Sequence, residues 1–555
     1  MGVFNRFEWK LFFTFWIIFS SFSMYINWNE NSRLDLTLAI VDDGSLSIDS
    51  YYKNTGDRAY YKGHYYSEKV PGMSFLGVFV YAPFKFFFGV PETHDNLWNT
   101  GVSKSWLGLV FISIIFTSAL LGALSVVLVY RISELFSKKE AHRKILTMIY
   151  GFGTLVFIYS SMFYEHVPST FFGFLCFYLA LKTNKEKKDY SFWAGFFGSL
   201  SLLIAIPLVF VLIGTFFYLK GAKSRMRFVL GALPLLIIFM AYNYSVFDHP
   251  LRLGYDYADN SIIMAFPTFC NSVSTSDEKV LCEAISASDI NMCKRLSNTD
   301  ECIYHVANAV KDSYLCEHIV DLDWKSYCNA LTDFDSSYCL EISDESMKKN
   351  CAGYVDKSSL SFFWLRTKNL LSFMKPDRLN ILLRITFFPY RGLFFYYPIL
   401  LFSLVGLFFM YKTHKREAFL IWFLLGTFLI LNARFPIWWG GFCFGLRNLT
   451  PLMPFLMIPL LFSFKKIKLK YIIPFIVISI FFNVLGFQIP EEAGLGKAVD
   501  NFIPFGNPLF EHYLPLTLSQ GPQSLLLEQV LDFQFKPLLN VILVLIPVYF
   551  IWRKK

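Results

Sequence analysis

Hydrophobic runs of about 15 to 25 residues recur along this chain, long enough to cross a bilayer as helices. Clusters of Lys or Arg close most of these runs. Charged residues make up only 17% of the 555 residues, whereas about a quarter is usual in a soluble protein. Because a helix satisfies its own backbone polar groups in lipid, the pattern predicts an all-α polytopic membrane protein.

The formal net charge of +9 comes from short basic clusters between the hydrophobic runs. Such clusters mark the cytoplasmic side of membrane proteins, so the charge predicts topology and not nucleic-acid binding. No small-residue cleavage site follows Phe22, which predicts a retained first span. The clusters expected in the cytoplasm are 6–10, 138–144, 182–188, 220–227, 412–416, 465–470 and 553–555.

We predict about 12 transmembrane helices, with both ends of the chain in the cytoplasm. The stretch 73–89 is short and broken by Pro83, and counting it as a span would place the basic loop 131–144 outside. We therefore expect it to lie on the outer surface. The predicted spans are 11–27, 107–130, 145–162, 168–181, 191–204, 206–219, 228–245, 394–411, 417–433, 450–464, 471–486 and 537–552.

Three regions follow from these spans. Residues 1–260 form an N-terminal transmembrane core with a first outer loop at 28–106. Residues 261–360 form an extracytoplasmic insert. Residues 361–555 form a C-terminal transmembrane region, with outer loops at 434–449 and 487–536.

The insert carries a repeat in which cysteines recur every 23 residues. An even number of cysteines on the oxidising side of a membrane predicts disulfides, although eight cysteines allow 105 connectivities. A zinc site is the weaker alternative, because no Cys-x2-Cys element is present and histidines are few. We expect short helices stapled by the neighbouring pairs Cys270–Cys282, Cys293–Cys302, Cys316–Cys328 and Cys339–Cys351.

The residues that could carry chemistry share the side predicted to be outside. A carboxylate can accept a proton from an attacking hydroxyl, and Arg or Lys can hold a phosphate leaving group. Aromatic rings can contact a sugar or lipid head group. Each residue also has a purely structural reading, such as a cap or an interfacial charge. The candidates are Glu30, Arg33, Asp57, Tyr66, Lys69, Glu165, His166, Trp439 and Arg447.

Four motifs make the chain resemble the GT-C superfamily of membrane glycosyltransferases. The resemblance is to the branch of dolichyl-phosphate-mannose protein mannosyltransferases and bacterial aminoarabinose transferases that modify lipid A. It covers about 1–260 and 380–555. The motifs are the first outer loop from Asn31 to Gly72, the pair Glu165-His166, the run Arg391 to Pro398, and Trp438-Trp439-Gly440-Gly441 with Arg447.

This resemblance implies an inverting glycosyltransferase that moves a hexosyl or pentosyl group from a polyprenyl-phosphate donor to a hydroxyl acceptor. By position Glu30 is the catalytic base, although the family usually carries Asp there, and Asp57 is the second choice. Lys69 and Arg447 map to the donor phosphate. Glu165 lies where a second acidic residue often occurs.

Several points stay open from the sequence. The sugar is undefined, and the acceptor could be a protein, a lipid or a glycan. No metal site is predicted, but Asp42-Asp43 leaves a divalent cation open. We expect a multi-pass protein of the cell membrane with its active site and insert outside. The alternatives are a transporter or flippase, which would need ionisable groups near the bilayer midplane, and a non-enzymatic surface protein built on the cysteine repeat.

Overall fold

The computed structural model is mostly helical. It describes residues 4–25, 28–93, 102–186, 188–258, 276–310, 312–333, 335–355, 376–435, 438–441, 443–486, 507–520 and 537–553. Outside the insert, the α-helices are Arg6–Ser21, Trp28–Leu38, Gly72–Phe88, Lys104–Ile114, Leu120–Glu134, Glu140–Phe152, Val156–Tyr159, His166–Lys185, Ser191–Ile204, Val209–Tyr218, Ala222–Phe247, Pro376–Phe387, Leu393–Tyr396, Leu401–Tyr411, Lys415–Arg434, Met453–Lys466, Ile473–Leu485, Leu514–Gln520 and Pro537–Trp552.

Among the residues that the structure describes, four helical stretches are long and apolar enough to cross a membrane. They are Lys104–Glu134, which continues through a π-helical turn, Ala222–Phe247, Lys415–Arg434 and Arg447–Lys466. Shorter apolar helices accompany them at Gly72–Phe88, Ser191–Ile204, Ile206–Tyr218, Pro398–Tyr411 and Ile473–Leu485. The chain therefore has the candidate spans of a multi-pass membrane protein, and the count of twelve stays a prediction.

The predicted span 145–162 is wrong as a single helix. The helix Glu140–Phe152 ends at Gly153, and the chain turns before the short helix Val156–Tyr159. Asn483 stabilises this break, because its side-chain amide donates to the carbonyls of Phe152 and Thr154 at 2.8 and 2.9 Å. A partner distant in sequence thus satisfies the carbonyls that a continuous helix would have used.

Glycines allow two apolar helices to approach closely. In Ser191–Ile204 and Ala222–Phe247, a Cβ on Gly195 would lie 1.9 Å from the Phe228 carbonyl oxygen, and one on Gly231 would lie 1.9 Å from that of Phe192. Small residues at a helix–helix contact are typical of membrane proteins, where van der Waals packing replaces the hydrophobic effect.

The first outer loop is folded, and it corrects the all-α prediction. It contains the helix Trp28–Leu38 and an antiparallel hairpin of β1 (Arg58–Tyr61) and β2 (His64–Ser67). The hairpin turn is Lys62-Gly63, and both residues have positive φ, at 48° and 84°. That conformation matches the twist of paired strands, and flanking tyrosines favour strand structure.

The insert is a stack of short helices, as predicted. Disulfides join Cys293–Cys302, Cys316–Cys328 and Cys339–Cys351. Cys282 is also disulfide-bonded, whereas Cys270 lies outside the described residues, so their pairing stays a prediction. The helical elements are Ser276–Ala287, Ile290–Arg295, Thr299–Val310, Ser313–His318, Leu322–Asp333, Ser337–Glu341 and Glu345–Val355.

The segments predicted to be cytoplasmic meet at one end of the helix bundle. Arg131 donates to Glu8 near the N-terminus at 2.6 Å. The Lys465 ammonium donates to the Phe136 carbonyl at 2.9 Å, and the Lys185 ammonium lies 4.5 Å from the Phe136 ring centroid. Basic residues that are far apart in sequence therefore share one end of the molecule.

Candidate active site

The candidate residues meet at the opposite end of the bundle. His166–Lys185 and Arg447–Lys466 are helical stretches of 20 residues. Each has its basic C-terminal end among the clusters just described. At 1.5 Å per residue each spans about 30 Å, the thickness of a bilayer's hydrocarbon core. His166 and Arg447 therefore lie about one membrane thickness from the basic end.

Residues 28–33 are joined to the hairpin by hydroxyl groups. The Ser32 hydroxyl lies 2.5 Å from the Asp57 carbonyl oxygen and 2.8 Å from the Ser67 hydroxyl. The Thr55 hydroxyl donates to the Trp28 carbonyl at 2.7 Å and accepts the Asp57 backbone N–H at 3.0 Å. These bonds fix where the Asp57 side chain stands relative to the helix.

Lys69 lies between two carboxylates. Its ammonium is 2.8 Å from Asp57 Oδ2 and also contacts Glu68. The Lys69 side chain is 7% exposed and that of Asp57 is 25% exposed, so Asp57 is the more accessible partner. Lys69 also lies 5.4 Å from the Tyr255 ring centroid. In this arrangement Lys69 neutralises and orients Asp57.

Arg33 forms a second ion pair in the same region. Its guanidinium contacts Glu165 and the carbonyl and side chain of Asn29. His166 Nε2 lies 3.9 Å from Glu165 Oε1. The Asn29 amide also lies 3.4 Å from Asp57 Oδ2, so Asn29 connects the two ion pairs.

Arg447 completes the group and shares an aromatic ring with Arg33. Its guanidinium lies 5.6 Å from the Tyr164 ring centroid, and that of Arg33 lies 5.9 Å from the same ring. Within the described part of the chain, the Arg447 guanidinium has no hydrogen-bond or ion-pair partner. We call the seven residues Arg33, Asp57, Glu68, Lys69, Glu165, His166 and Arg447 the charged cluster.

A buried arginine holds the turn that precedes Arg447. Arg391 Nη1 donates to the carbonyls of Trp439 and Gly441, each at 2.6 Å. Gly440 and Gly441 have φ of 89° and 74°, a region in which other residues are strained. Trp439 thus takes part through its backbone, and Arg391 acts by shaping the turn.

The charges of the cluster control each other's protonation. Burial alone would raise the pKa of Asp57, but Lys69, assisted by Arg447 and Arg33, lowers it below the usual value. The pKa of Glu68 is raised, because burial outweighs the attraction of Lys69. Burial also raises the pKa of Glu165, but Arg33 and then His166 outweigh burial and lower this pKa to about 2. Asp57 and Glu165 are therefore ionised at neutral pH.

Two predicted residues are outside the charged cluster as we define it. Glu30 is on the helix Trp28–Leu38 and is fully buried, at 0% exposure, within electrostatic range of Tyr164. Tyr66 is on the other side of β2, and its ring packs 5.7 Å from that of Phe247. Alternate residues of a strand face opposite ways. Because Ser67 faces Ser32 on the helix Trp28–Leu38, its neighbour Tyr66 faces away from that helix and from Asp57.

The residues available for a cation are few. Asp42 is already engaged, with Lys85 at 2.6 Å and the Tyr81 hydroxyl at 2.7 Å. Among the described residues, no group of three or more His, Cys, Asp or Glu side chains is placed to hold a metal ion. The structure therefore gives no support for a cation at Asp42-Asp43.

Sequence reasoning missed several residues of this region. Asn29 and Tyr164 each adjoin a candidate residue, so proximity in the chain was the available signal. Arg391 belongs to a motif that was recognised, but its role depends on a turn 48 residues away, at Trp439.

Comparison with known proteins adds little. No family model and no curated protein matches the sequence. Among solved structures, the chain is similar to the archaeal oligosaccharyltransferase AglB from Archaeoglobus fulgidus in complex with an inhibitory peptide and a dolichol-phosphate, at 12% identity and a TM-score of 0.34. The match covers 98% of this chain and 55% of that one, so this chain spans about half of its length. Similarity at this level carries no argument about family or activity.

Proposed function

We propose that this chain is an integral-membrane glycosyltransferase of the GT-C type, which moves a sugar from a polyprenyl-phosphate donor to a hydroxyl acceptor. The observation that carries the proposal is that the Arg447 guanidinium has no ion-pair partner among the described residues and lies within electrostatic range of the accessible carboxylate of Asp57. A cation without a carboxylate partner is suited to an anionic ligand, and a carboxylate nearby is suited to deprotonate a hydroxyl.

In the proposed reaction the acceptor oxygen attacks the anomeric carbon of the sugar. The hydroxyl proton passes to Asp57, which is favoured over Glu30 because Glu30 is fully buried. The bond between the anomeric carbon and the phosphate oxygen breaks, and polyprenyl phosphate leaves with the electron pair. Arg447 stabilises the charge that grows on this phosphate, and Lys69 keeps Asp57 ionised and in place.

The distribution of buried charge favours an enzyme over a transporter. Among the described residues, the buried acidic, basic and histidine side chains are Glu8, Glu30, Arg33, Asp35, Arg58, Lys69, His166 and Arg391. All except Glu8 lie in segments predicted to be outside. A transport path would instead need such groups near the bilayer midplane.

The deciding experiment incubates the purified protein with a panel of polyprenyl-phosphate sugars and a hydroxyl acceptor, and detects released polyprenyl phosphate. We expect Asp57→Asn to lower kcat by about 10²- to 10⁴-fold, the usual contribution of a general base. We expect Arg447→Gln to raise the KM for the donor by about ten- to a hundredfold, through loss of a charge-assisted hydrogen bond.

Asp49→Asn is the matched control, because Asp49 is an exposed carboxylate of the same loop that pairs with His64 at 2.7 Å. It should retain wild-type turnover. Glu30→Gln tests the alternative base. If both Asp57→Asn and Glu30→Gln kept full activity in folded protein, the assignment of the site would be wrong. If the wild-type protein released polyprenyl phosphate from none of the donors, the proposed function would be wrong.

A further inference from the structure

A polar cavity lies at the basic end of the bundle, far from the charged cluster. It has a volume of about 390 Å³. The helices His166–Lys185 and Val209–Tyr218 end at this cavity, and the link between Leu401–Tyr411 and Lys415–Arg434 forms its other wall. Its cations are Lys185, Lys220, Lys412, Lys415 and Arg416, and its carboxylate is Glu417. We call it the basic pocket.

Hydrogen bonds between the linking segments shape the basic pocket. The Asn184 side chain donates to the Tyr218 carbonyl at 3.0 Å and accepts the Lys220 backbone N–H at 3.0 Å. The Tyr218 hydroxyl donates to Glu417 at 2.9 Å, and the Arg416 guanidinium lies 5.9 Å from the Tyr218 ring centroid. The cations therefore converge on one cavity because their backbones are tied together.

Positive charge is in excess in the basic pocket, with five cations to one carboxylate. Four other basic residues at this end have carboxylate partners, in the pairs Arg143–Glu134, Lys144–Glu140, Lys182–Glu186 and Arg227–Asp189. The five cations of the basic pocket form no ion pair with a carboxylate in the described part of the chain. The one carboxylate present, Glu417, accepts a hydrogen bond from Tyr218 and offsets only one of the five positive charges. Such a concentration of like charge attracts an anion.

Apolar rings adjoin the basic pocket and indicate where the anion comes from. Phe217 precedes Tyr218 and is 64% exposed, and Phe419 follows Glu417 by two positions and is 70% exposed. Phe408 is 63% exposed and lies 5.1 Å from the Lys412 ammonium. These rings belong to apolar helices, so a charged cavity borders directly on a surface suited to lipid chains.

We propose that the basic pocket binds the phosphate group of an anionic membrane lipid, whose acyl chains lie along the adjoining rings. Basic pockets between transmembrane helices are a known means of holding such head groups. A free phosphate shares the head group's chemistry but would gain nothing from the rings. The proposal is independent of the charged cluster and of the glycosyltransferase assignment.

The test measures lipid binding to the purified full-length protein by native mass spectrometry. The probes are phosphatidylglycerol, phosphatidylcholine and inorganic phosphate. The pocket variant is Lys412→Gln/Lys415→Gln/Arg416→Gln. Its matched control is Lys466→Gln/Lys468→Gln/Lys470→Gln, which removes the same charge from exposed residues of another basic loop at this end.

We expect the pocket variant to bind phosphatidylglycerol about tenfold or more weakly, as loss of three cations near a lipid head group predicts. The control should bind it as the wild type does, and phosphatidylcholine binding should be the same in all three proteins. Should the triple variant misfold, Lys220→Gln/Arg416→Gln replaces it. Unchanged binding in the pocket variant, or equal loss in the control, would overturn the proposal. Inorganic phosphate bound as tightly as phosphatidylglycerol would overturn the lipid assignment.

Discussion

Lys69 determines the chemical state of the carboxylate that we propose as the base. Its ammonium is 2.8 Å from Asp57 and is itself buried, so the pair is poorly screened by solvent. Burial favours the protonated acid, whereas Lys69 favours the ionised form and prevails. The resemblance assigns Lys69 to the donor phosphate, but Lys69 already pairs with Asp57 and Glu68, so we propose Arg447 as the phosphate ligand.

Replacing Lys69 by Gln should move the pH dependence of donor turnover. Lys69 lowers the pKa of Asp57, so its loss raises that pKa. The base is active when ionised, and its activity is lost as pH falls through the pKa. The acidic limb of kcat/KM, which reports free-enzyme groups, should therefore shift to higher pH in Lys69→Gln. The measurement is kcat/KM for the donor between about pH 4 and 8.

Lys62→Gln is the control for this profile. Lys62 is 55% exposed at the tip of the hairpin and pairs with Asp248, away from Asp57. Its profile should coincide with that of the wild type. If the acidic limb of the kcat/KM profile lies at the same pH in Lys69→Gln as in the wild type, the pKa of Asp57 does not determine that limb.

The insert shows how one sequence repeat makes one structural repeat. Asp300 accepts the backbone N–H groups of Val320 and Asp321 at 3.2 and 2.8 Å. One repeat later, Asp323 accepts those of Ser343 and Asp344 at 2.8 and 2.9 Å. The carboxylate of one helix thus satisfies orphan N–H groups before the next helix begins. The 23-residue spacing of these aspartates, like that of the cysteines, was readable from the sequence.

Close packing of two helices predicts a sharp stability effect. Gly195→Ala should destabilise the protein by about 1–3 kcal/mol, because its Cβ would collide with the Phe228 carbonyl, which cannot move as a side chain can. The measurement is the thermal unfolding midpoint of the purified protein in detergent. Gly426→Ala is the control, since a Cβ there meets nothing within 4 Å. Equal midpoints for the two variants would contradict the packing described.

The whole molecule separates two kinds of charge. Cations of the inter-helical loops collect at one end, and the charged cluster collects at the other, about 30 Å away by helix length. Two helical stretches, His166–Lys185 and Arg447–Lys466, connect the two ends directly. This separation agrees with a bilayer between them, and the basic end is then expected to be cytoplasmic.

This topology can be tested with single cysteines in intact cells. A membrane-impermeant thiol reagent should label Ser50→Cys, which is exposed in the first outer loop, and should fail to label Lys468→Cys, which is exposed at the basic end. After permeabilisation both should react. Cys176 and Cys443 are buried and serve as the background. Labelling of Lys468→Cys in intact cells would reverse the predicted orientation.

The sequence by itself determined the features that depend on local pattern. Apolar runs predicted the membrane helices, because a run of about 20 apolar residues is long enough to cross the hydrocarbon core as a helix. Cysteine spacing predicted three of the observed disulfides, because partners within one repeat are close in the chain. The hairpin of β1 and β2 was missed, although its tyrosines and Lys62-Gly63 carried a local signal.

Only the tertiary structure decided which charges meet. The sequence ranked Glu30 before Asp57 as the base, and it did not pair Lys69 with Asp57 or Arg33 with Glu165. Burial and electrostatic partnership depend on contacts between residues far apart in the chain, and no local pattern encodes those contacts. The same reason explains the basic pocket, where loops read as separate topology signals form one cavity.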